Sequence, residues 1–263
     1  MRRSRERENL ALRSEDRWRP PTFAPTNDTR SRIAATVRRF FDVQAGSLWR
    51  DLSEVLVTVR GTLVDAGCGA QPYRRLLPAG TEYIGLDIER ASDYFGYAIP
   101  GVRLIGEDGR WPVLDSQADV VLATETLEHV PEPAAFLAEA HRCLRPGGRL
   151  VLTVPYAARW HYIPNDYWRF TPSALRILLE RAGFGQVVVY ARGNERTVAC
   201  YKLLALLLPA GLPQERPGSV RLTPRALLIA PPAVVLAAIA NLSLRGAPGD
   251  DCLGYTVHAL RDG

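Results

Sequence analysis

Asp65, Gly67 and Gly69 are the residues whose types and spacing first suggest chemistry. They stand in residues 64–69, VDAGCG, at the end of a short apolar run. Glycines at these positions allow positive φ and keep side chains away, so a ligand can approach the backbone closely. A second acid, Asp87, ends the next apolar run, and an acid there can accept hydrogen bonds from both hydroxyls of a ribose. The pattern predicts a site for a nucleoside-bearing cofactor.

The glycine turn lacks the dinucleotide-binding pattern G-x-G-x-x-G. It reads GCGAQPY, with Pro72 in the place of the third glycine, which normally permits close packing of the next helix. Asp65 would repel a pyrophosphate, whereas it suits a ligand with a positively charged amino group. A nicotinamide-dependent oxidoreductase is therefore disfavoured. S-adenosylmethionine carries an ammonium, a sulfonium and a ribose but no phosphate, and it fits these residues.

A second group of chemistry-bearing residues lies in PYAARWHYIPNDYWRF, after the fifth apolar run. His161 can accept a proton from a hydroxyl as that hydroxyl is methylated, and Asp166 can orient the histidine or pair with Arg169. Arg169 can bind a carboxylate or phosphate of the substrate. Three side chains can stack on a sugar or aromatic ring: Tyr156, Tyr167 and Trp168. The alternative is structural, with an Asp166–Arg169 ion pair and the aromatic rings in the core.

Short β-rich runs must position these residues. They read GTLVDAG, TEYIGLDI, GVRLIGED, ADVVLATE and GRLVLTVPY, followed later by QVVVYA and LGYTVHAL. Helical or turn-rich segments separate them, which predicts an α/β fold with a largely parallel sheet and right-handed crossovers. Ligands of such sheets bind at the carboxyl ends of the strands, and the two aspartates stand there.

Three further segments have the pattern of helices packed against this sheet. Residues 31–57 have apolar side chains at helical spacing and predict one or two helices that pack on the sheet or form a lid. The run PEPAAFLAEAHRCL predicts a helix that ends at Pro146, and TPSALRILLERAGF predicts one with Thr171 as N-cap and Gly183 at its end.

Two apolar runs, VACYKLLALLLPAGLP and RALLIAPPAVVLAAIANLSL, lie between the sixth and seventh strands. The second approaches the roughly twenty residues that cross a bilayer, but Pro231 and Pro232 interrupt it. The chain must also return to place its last strand in the sheet. We therefore expect residues 198–250 to form an apolar helical insertion that lies in a membrane interface, makes a subunit contact or covers a lipophilic substrate.

Composition limits the number of domains and the class of protein. The chain has 263 residues, 47% of them hydrophobic, and a net charge of +5, which suits one well-packed domain over residues 31–263. Residues 1–30 mix arginines with acids and end in prolines, so we expect a mobile tail rather than a nucleic-acid arm. The start lacks a signal-peptide pattern, which favours the cytoplasm. Four scattered cysteines have no paired metal-binding spacing, so no metal site is expected.

Four stretches resemble the class I S-adenosylmethionine-dependent methyltransferases, in particular their type 11 group. They are DAGCG, YIGLDI, EDGRWPVLDSQADVVLATETLEHVPEP and LRPGGRLVLTVP, in that family's order and spacing. The segment around His161 is similar to the H-x-x-P-x-D-Y-[WF]-R-[FY]-T signature of a subgroup associated with glycan, cell-envelope or secondary-metabolite pathways. The resemblance implies a Rossmann-like, seven-stranded, mostly parallel sheet flanked by helices, with the last strand antiparallel.

The resemblance also implies S-adenosylmethionine as cofactor and roles by position. The cofactor-binding residues would be Asp65, Gly67, Cys68, Gly69, Asp87, Ile88, Asp108, Gly109, Thr124 and Glu125. In this order they run from the methionine portion to the ribose and adenine, and then to the space near the sulfonium. Among them, Asp87 would bind the ribose, and Asp108 would meet the adenine amino group. His129, in the LEHV element, would be either catalytic or a structural residue that holds its loop.

The sequence thus predicts a methyltransferase that acts on a small-molecule or glycan acceptor, most simply on a hydroxyl. The alternative is a protein that keeps the fold and binds the cofactor without catalysis, including at a membrane surface. A nucleic-acid methyltransferase is disfavoured, because TETLEHV stands where a proline-bracketed aromatic tetrapeptide would follow the fourth strand. The expected partners are the acceptor and either a membrane surface or a second copy of the chain, through residues 198–244.

Overall fold

One seven-stranded sheet organises the part of the chain that the structure describes. The computed structural model describes residues 29–89, 91, 101–159, 165–211 and 224–263. The strands are β1 (Thr62–Ala66), β2 (Glu82–Asp87), β3 (Arg103–Leu104), β4 (Ala118–Thr124), β5 (Leu144–Pro155), β6 (Phe184–Ala191) and β7 (Gly254–Arg261). Their order is β3-β2-β1-β4-β5-β7-β6. The first five pair in parallel, and β7 runs antiparallel to both β5 and β6. The predicted fold class is confirmed.

Helices cover both faces of this sheet. They are α1 (Thr29–Phe41), α2 (Val43–Leu56), α3 (Pro133–Cys143), α4 (Pro172–Arg181), α5 (Glu195–Gly211) and α6 (Arg225–Ser243). On one face, Leu52 and Leu56 of α2 pack with Leu63 and Leu122 of the central strands. On the other face, α3 and α4 bury their apolar sides against the same strands. Burial on both faces explains why the central strands β1 and β4 are continuous apolar runs, whereas β3 is exposed and β6 is only partly buried.

The ends of α3 and α4 can be explained by the residues that stand there. Thr171 caps α4, its Oγ1 accepting a hydrogen bond from Ala174 N at 3.3 Å, and Gly183 follows that helix with φ +94°, both as predicted. Helix α3 ends at Cys143, before the predicted stop, because Leu144 is already extended (φ −68°, ψ 142°) and begins β5. Pro146 disfavours helical backbone at Arg145, the residue before it, so the helix cannot continue past this point.

The apolar insertion forms the helices α5 and α6. The interruption of α6 expected at Pro231 and Pro232 is wrong, because α6 runs through both. Each proline removes one helical hydrogen bond, but Ala233, Ala237 and Ala240 bury the following turns in a cluster with α2 and α5. Tertiary packing therefore holds the helix together across the prolines. The division into a tail of residues 1–30 and a domain of 31–263 stays a prediction, and residues 1–28 lie outside the described part.

Candidate active site

The glycine turn after β1 is bound to the end of β2. The backbone N–H groups of Gly67 and Cys68 both donate to the carbonyl oxygen of Leu86, at 2.9 and 3.0 Å. Gly67 has φ +75°, and a Cβ added there would lie 2.4 Å from Cγ2 of Thr126. The turn is thus pressed between β2 and the loop after β4, and a side chain at position 67 would not fit.

Gly69 and Asp87 form the open side of this turn. Gly69 N donates to Oδ2 of Asp87 at 2.8 Å, and Ile88 N donates to Oδ1 at 2.9 Å. A Cβ added at Gly69 would meet no atom of the described residues within 4 Å, so these residues leave the backbone open to a ligand here. Burial raises the pKa of Asp87 above its ordinary value, although the two backbone N–H groups oppose this effect. Each carboxylate oxygen keeps a further lone pair with which it can accept a hydroxyl.

Asp65 is a buried carboxyl beside Asp87. It is 3% exposed and accepts a hydrogen bond from the hydroxyl of Tyr83 at 2.6 Å. Burial raises its pKa to about 7; the bond from Tyr83 opposes the rise, and the charge of Asp87 adds to it. Burial and these two carboxylates also raise the pKa of the Cys68 thiol. Cys68 therefore stays a protonated, small buried residue in the turn.

A buried arginine holds Glu125, the residue that follows β4. Glu125 has φ +49°, a left-handed conformation that is uncommon for a non-glycine residue and is often found at functional sites. Its Oε1 accepts from Nη2 of Arg192 at 2.7 Å, and its Oε2 accepts from Nε2 of Gln44 at 3.3 Å. Arg192 follows β6, is 2% exposed, and also donates to Val154 O and Ser47 Oγ. This network joins α2 to three strands at the predicted site.

The other predicted cofactor residues lie along the same edge. Thr124 ends β4, and its buried Oγ1 has no hydrogen-bond partner. Ile105 N donates to Asp87 O at 2.9 Å, so the loop after β3 leaves the sheet beside Asp87. In that loop Asp108 is exposed, and its carboxylate accepts from Arg110 N at 3.0 Å. Gly109 has φ +79°, as the tight loop requires.

Residues 165–170 are attached to the loop after β4. The N–H groups of Tyr167 and Trp168 donate to Glu128 O, and the indole N–H of Trp168 donates to Val130 O at 2.9 Å. Nδ1 of His129 lies within hydrogen-bonding distance of Asn165 O. These contacts place the rings of Tyr167 and Trp168 at the surface, 49% and 42% exposed. His129 thus contacts backbone in the very segment that the sequence assigns to the substrate.

Asp166 and Arg169 form a two-point ion pair, with Nη2–Oδ2 at 2.7 Å and Nη1–Oδ1 at 2.5 Å. This is the structural pairing that the sequence left open. Tyr156 follows β5 and packs on Tyr255, with ring centroids 5.4 Å apart, so its ring contributes to packing. His161 lies outside the described residues.

Glu128 is a buried carboxyl for which the sequence pattern predicted no role. It is fully buried, and among the described residues neither carboxyl oxygen has a hydrogen-bond partner. Nε2 of His129 lies 3.6 Å from its Oε1. Burial, followed by the charge of Glu125, raises the pKa of Glu128 well above its ordinary value. This shift favours the protonated carboxyl, whose burial costs less than that of the charged form.

This arrangement fits S-adenosylmethionine. The carboxylate of Asp87, held by two backbone N–H donors, presents acceptor oxygens for a ribose, and the open side of Gly69 leaves space for the ligand. Asp65 and Asp87 lie close enough for the charge of one to raise the pKa of the other. A cationic aminoacyl group between them would relieve this repulsion. Within the described residues, no cluster of side chains has the composition of a metal site.

Three residues that sequence reasoning missed contact the predicted site: Tyr83, Arg192 and Gln44. For Arg192 a signal existed, because it is a lone charge directly after the apolar run of β6, at the edge where the predicted ligands lie. Tyr83 stands inside a strand, and Gln44 at the start of a helix. No sequence pattern marks either of them.

Comparisons with known proteins identify the family of this chain. A family model described as a methyltransferase domain matches residues 28–188. The ubiquinone biosynthesis O-methyltransferase of Cereibacter sphaeroides is 30% identical over 171 residues, which are 52% of this chain and 66% of that enzyme. The 27-O-demethylrifamycin SV methyltransferase of Amycolatopsis mediterranei is 36% identical over 100 residues, 34% of this chain and 37% of that enzyme. The chain thus aligns with less than two thirds of these relatives' lengths.

Solved structures show the same fold. An S-adenosylmethionine-dependent methyltransferase of Thermotoga maritima superposes with a TM-score of 0.51 at 17% identity, over 88% of this chain and 97% of that one. One from Archaeoglobus fulgidus gives a TM-score of 0.50 at 19% identity, over 89% and 100% of the two chains. The family match, the strand order and the site together lead to one assignment. The chain belongs to the family of class I S-adenosylmethionine-dependent methyltransferase domains.

Proposed function

We propose that this protein transfers the methyl group of S-adenosylmethionine to a hydroxyl of a small-molecule or glycan acceptor. The observation that carries the proposal is the pairing of Asp65 and Asp87 around a glycine turn whose open side admits a ligand. The O-methyltransferases among its relatives support oxygen as the acceptor atom. A secondary-metabolite or cell-envelope glycan pathway is the proposed setting.

The chain's own residues would bind and align the reactants. Asp87 would accept hydrogen bonds from the ribose hydroxyls, and Asp65, ionised when a cation is present, would face the ammonium group. The bound cofactor supplies an electrophilic methyl group on its sulfonium. Methyl transfer is a direct displacement, so the protein contributes mainly orientation and exclusion of water. Thr124 and Glu125 would line the space near the transferred methyl group.

The acceptor side is proposed to include the segment attached to the loop after β4. The exposed rings of Tyr167 and Trp168 offer stacking surfaces for a sugar or an aromatic acceptor. The ion pair with Asp166 uses part of the hydrogen-bonding capacity of Arg169, which favours a positioning role for both. The contact between His129 and Asn165 O favours a structural role for His129. His161 stays the proposed general base.

Two measurements test the proposal on the full chain. Isothermal calorimetry with S-adenosylmethionine and with its demethylated product should show binding of both, and a labelled-methyl assay should then show transfer to sugars, phenols or lipid-linked glycans. Absence of binding would overturn the cofactor site. Binding without transfer to any acceptor class would instead support the alternative, a catalytically silent protein of the same fold.

A further inference from the structure

Helices α1, α5 and α6 carry an apolar face that no other described residue covers. Large hydrophobic side chains are exposed along it, among them Leu203 and Leu206 on α5 and Leu227, Leu228, Val235 and Leu242 on α6. We call this surface the apolar face. From Ala226 to Ser243, α6 has no charged side chain. Monomeric soluble proteins rarely leave so many large apolar side chains together in water.

An apolar cavity lies between the same helices. It has a volume of about 250 Å³, and its lining includes Phe41 of α1, Leu208 of α5 and Ile229 of α6. The described residues that line it are all apolar, and apolar cavities bind hydrocarbons in preference to water. The face and the cavity therefore favour the same kind of occupant, a hydrocarbon chain.

Helix α6 cannot be surrounded by lipid in this fold. It is the one helix among the described residues that is long and apolar enough to cross a bilayer. However, its side with Ala233, Ala237 and Ala240 is fully buried against the rest of the protein, and Asn241 donates to the carbonyl oxygen of Phe40 at 2.9 Å. The helix is packed along one side, so only its other side is open to a bilayer, as for helices that lie in the interface.

The charges on these helices decide between lipid and a second copy of the chain. Of the eight charged residues on α1, α5 and α6, seven are basic and one, Glu195, is acidic. Glu195 already accepts hydrogen bonds from the backbone N–H groups of Asp250 and Asp251. Two copies meeting through this region would bring like charges together, whereas anionic headgroups would complement them.

We propose that the apolar face docks on an anionic lipid bilayer, with α5 and α6 in the plane of the interface and a hydrocarbon chain in the cavity. This surface adjoins the candidate active site. Phe41 lines the cavity, and Gln44, three positions further, donates to Glu125. Docking does not depend on the proposed methyl transfer, so its test needs no assay of activity.

Vesicle flotation of the purified full chain tests the proposal. The vesicles are phosphatidylcholine alone, or equal parts phosphatidylcholine and phosphatidylglycerol. The test variant is Leu227→Gln with Leu228→Gln, at positions 81% and 79% exposed. The control variant is Leu114→Gln with Ile177→Gln, two exposed apolar residues outside the three helices. Circular dichroism confirms that both variants are folded.

The protein should float with the anionic vesicles much more than with the neutral ones, and less at high salt. The test variant should bind at least about tenfold more weakly, because each leucine loses its burial in the bilayer, while the control variant should bind like the wild type. No flotation with either vesicle would overturn the proposal, as would equal binding by the test variant. A dimer in analytical ultracentrifugation that only the test variant dissociates would identify the face as a subunit contact instead.

Discussion

Replacing Asp65 by asparagine should stabilise the protein at neutral to alkaline pH and weaken its binding of S-adenosylmethionine. The carboxyl ionises near pH 3.8 when unperturbed, whereas burial in the folded protein raises its pKa to about 7. The folded state therefore holds this proton up to a higher pH than the unfolded state does. Its contribution to the free energy of unfolding is fully present below about pH 3.8 and is lost as the pH rises towards about 7.

The magnitude follows from the separation of the two pKa values. From 3.8 to about 7 is roughly 3 pH units, and each unit corresponds to about 1.36 kcal/mol. Ionised Asp65 should thus cost the folded protein roughly 4 kcal/mol at about pH 8. Asparagine buries no charge and can still accept the hydrogen bond of Tyr83. Relative to the wild type, the variant's free energy of unfolding should rise by up to that amount between about pH 4 and pH 8.

Urea unfolding followed by circular dichroism over this pH range measures the difference directly. Asp250→Asn, at an exposed position, is the matched control. Its free energy of unfolding should stay within about 0.5 kcal/mol of the wild-type value over this pH range. In calorimetry at alkaline pH, Asp65→Asn should bind S-adenosylmethionine at least about tenfold more weakly, because the ammonium loses its ionised partner. A difference in stability that does not change with pH would refute the argument, since it would mean that the carboxyl ionises as if exposed.

Three further substitutions test other parts of the site. Asp87→Ala should greatly reduce affinity for S-adenosylmethionine in calorimetry while circular dichroism shows an intact fold, and unchanged affinity would remove the ribose assignment. His161→Ala should lower kcat with little change in cofactor affinity, and equal turnover would end its role as general base. Arg192→Ala leaves Glu125 without its buried partner, so urea unfolding should show a loss of about 3 kcal/mol; a loss below about 1 kcal/mol would show that the pair contributes little to stability.

The fold was predictable because its signals are local and repeated. The central strands are compact apolar runs bounded by turn residues, and Thr171 caps its helix as its residue type indicates. The two misjudged points depended on competition between local and tertiary effects. Helix α3 ended early because β5 begins at Leu144, and α6 continued through Pro231 and Pro232 because its alanine side is buried. A proline shows where a helix loses hydrogen bonds, but not whether packing compensates for them.

The sequence by itself determined that Asp65 and Asp87 would meet, because the carboxyl ends of adjacent parallel strands share one edge of the sheet. Only the tertiary structure decided what surrounds them. Tyr83 on Asp65, Arg192 on Glu125 and the exposed side of α6 result from segments that are distant in the chain, and no local pattern encodes their contacts. The positions of the strands follow from hydrophobic periodicity, whereas ionisation depends on burial, which exists only after the chain has folded.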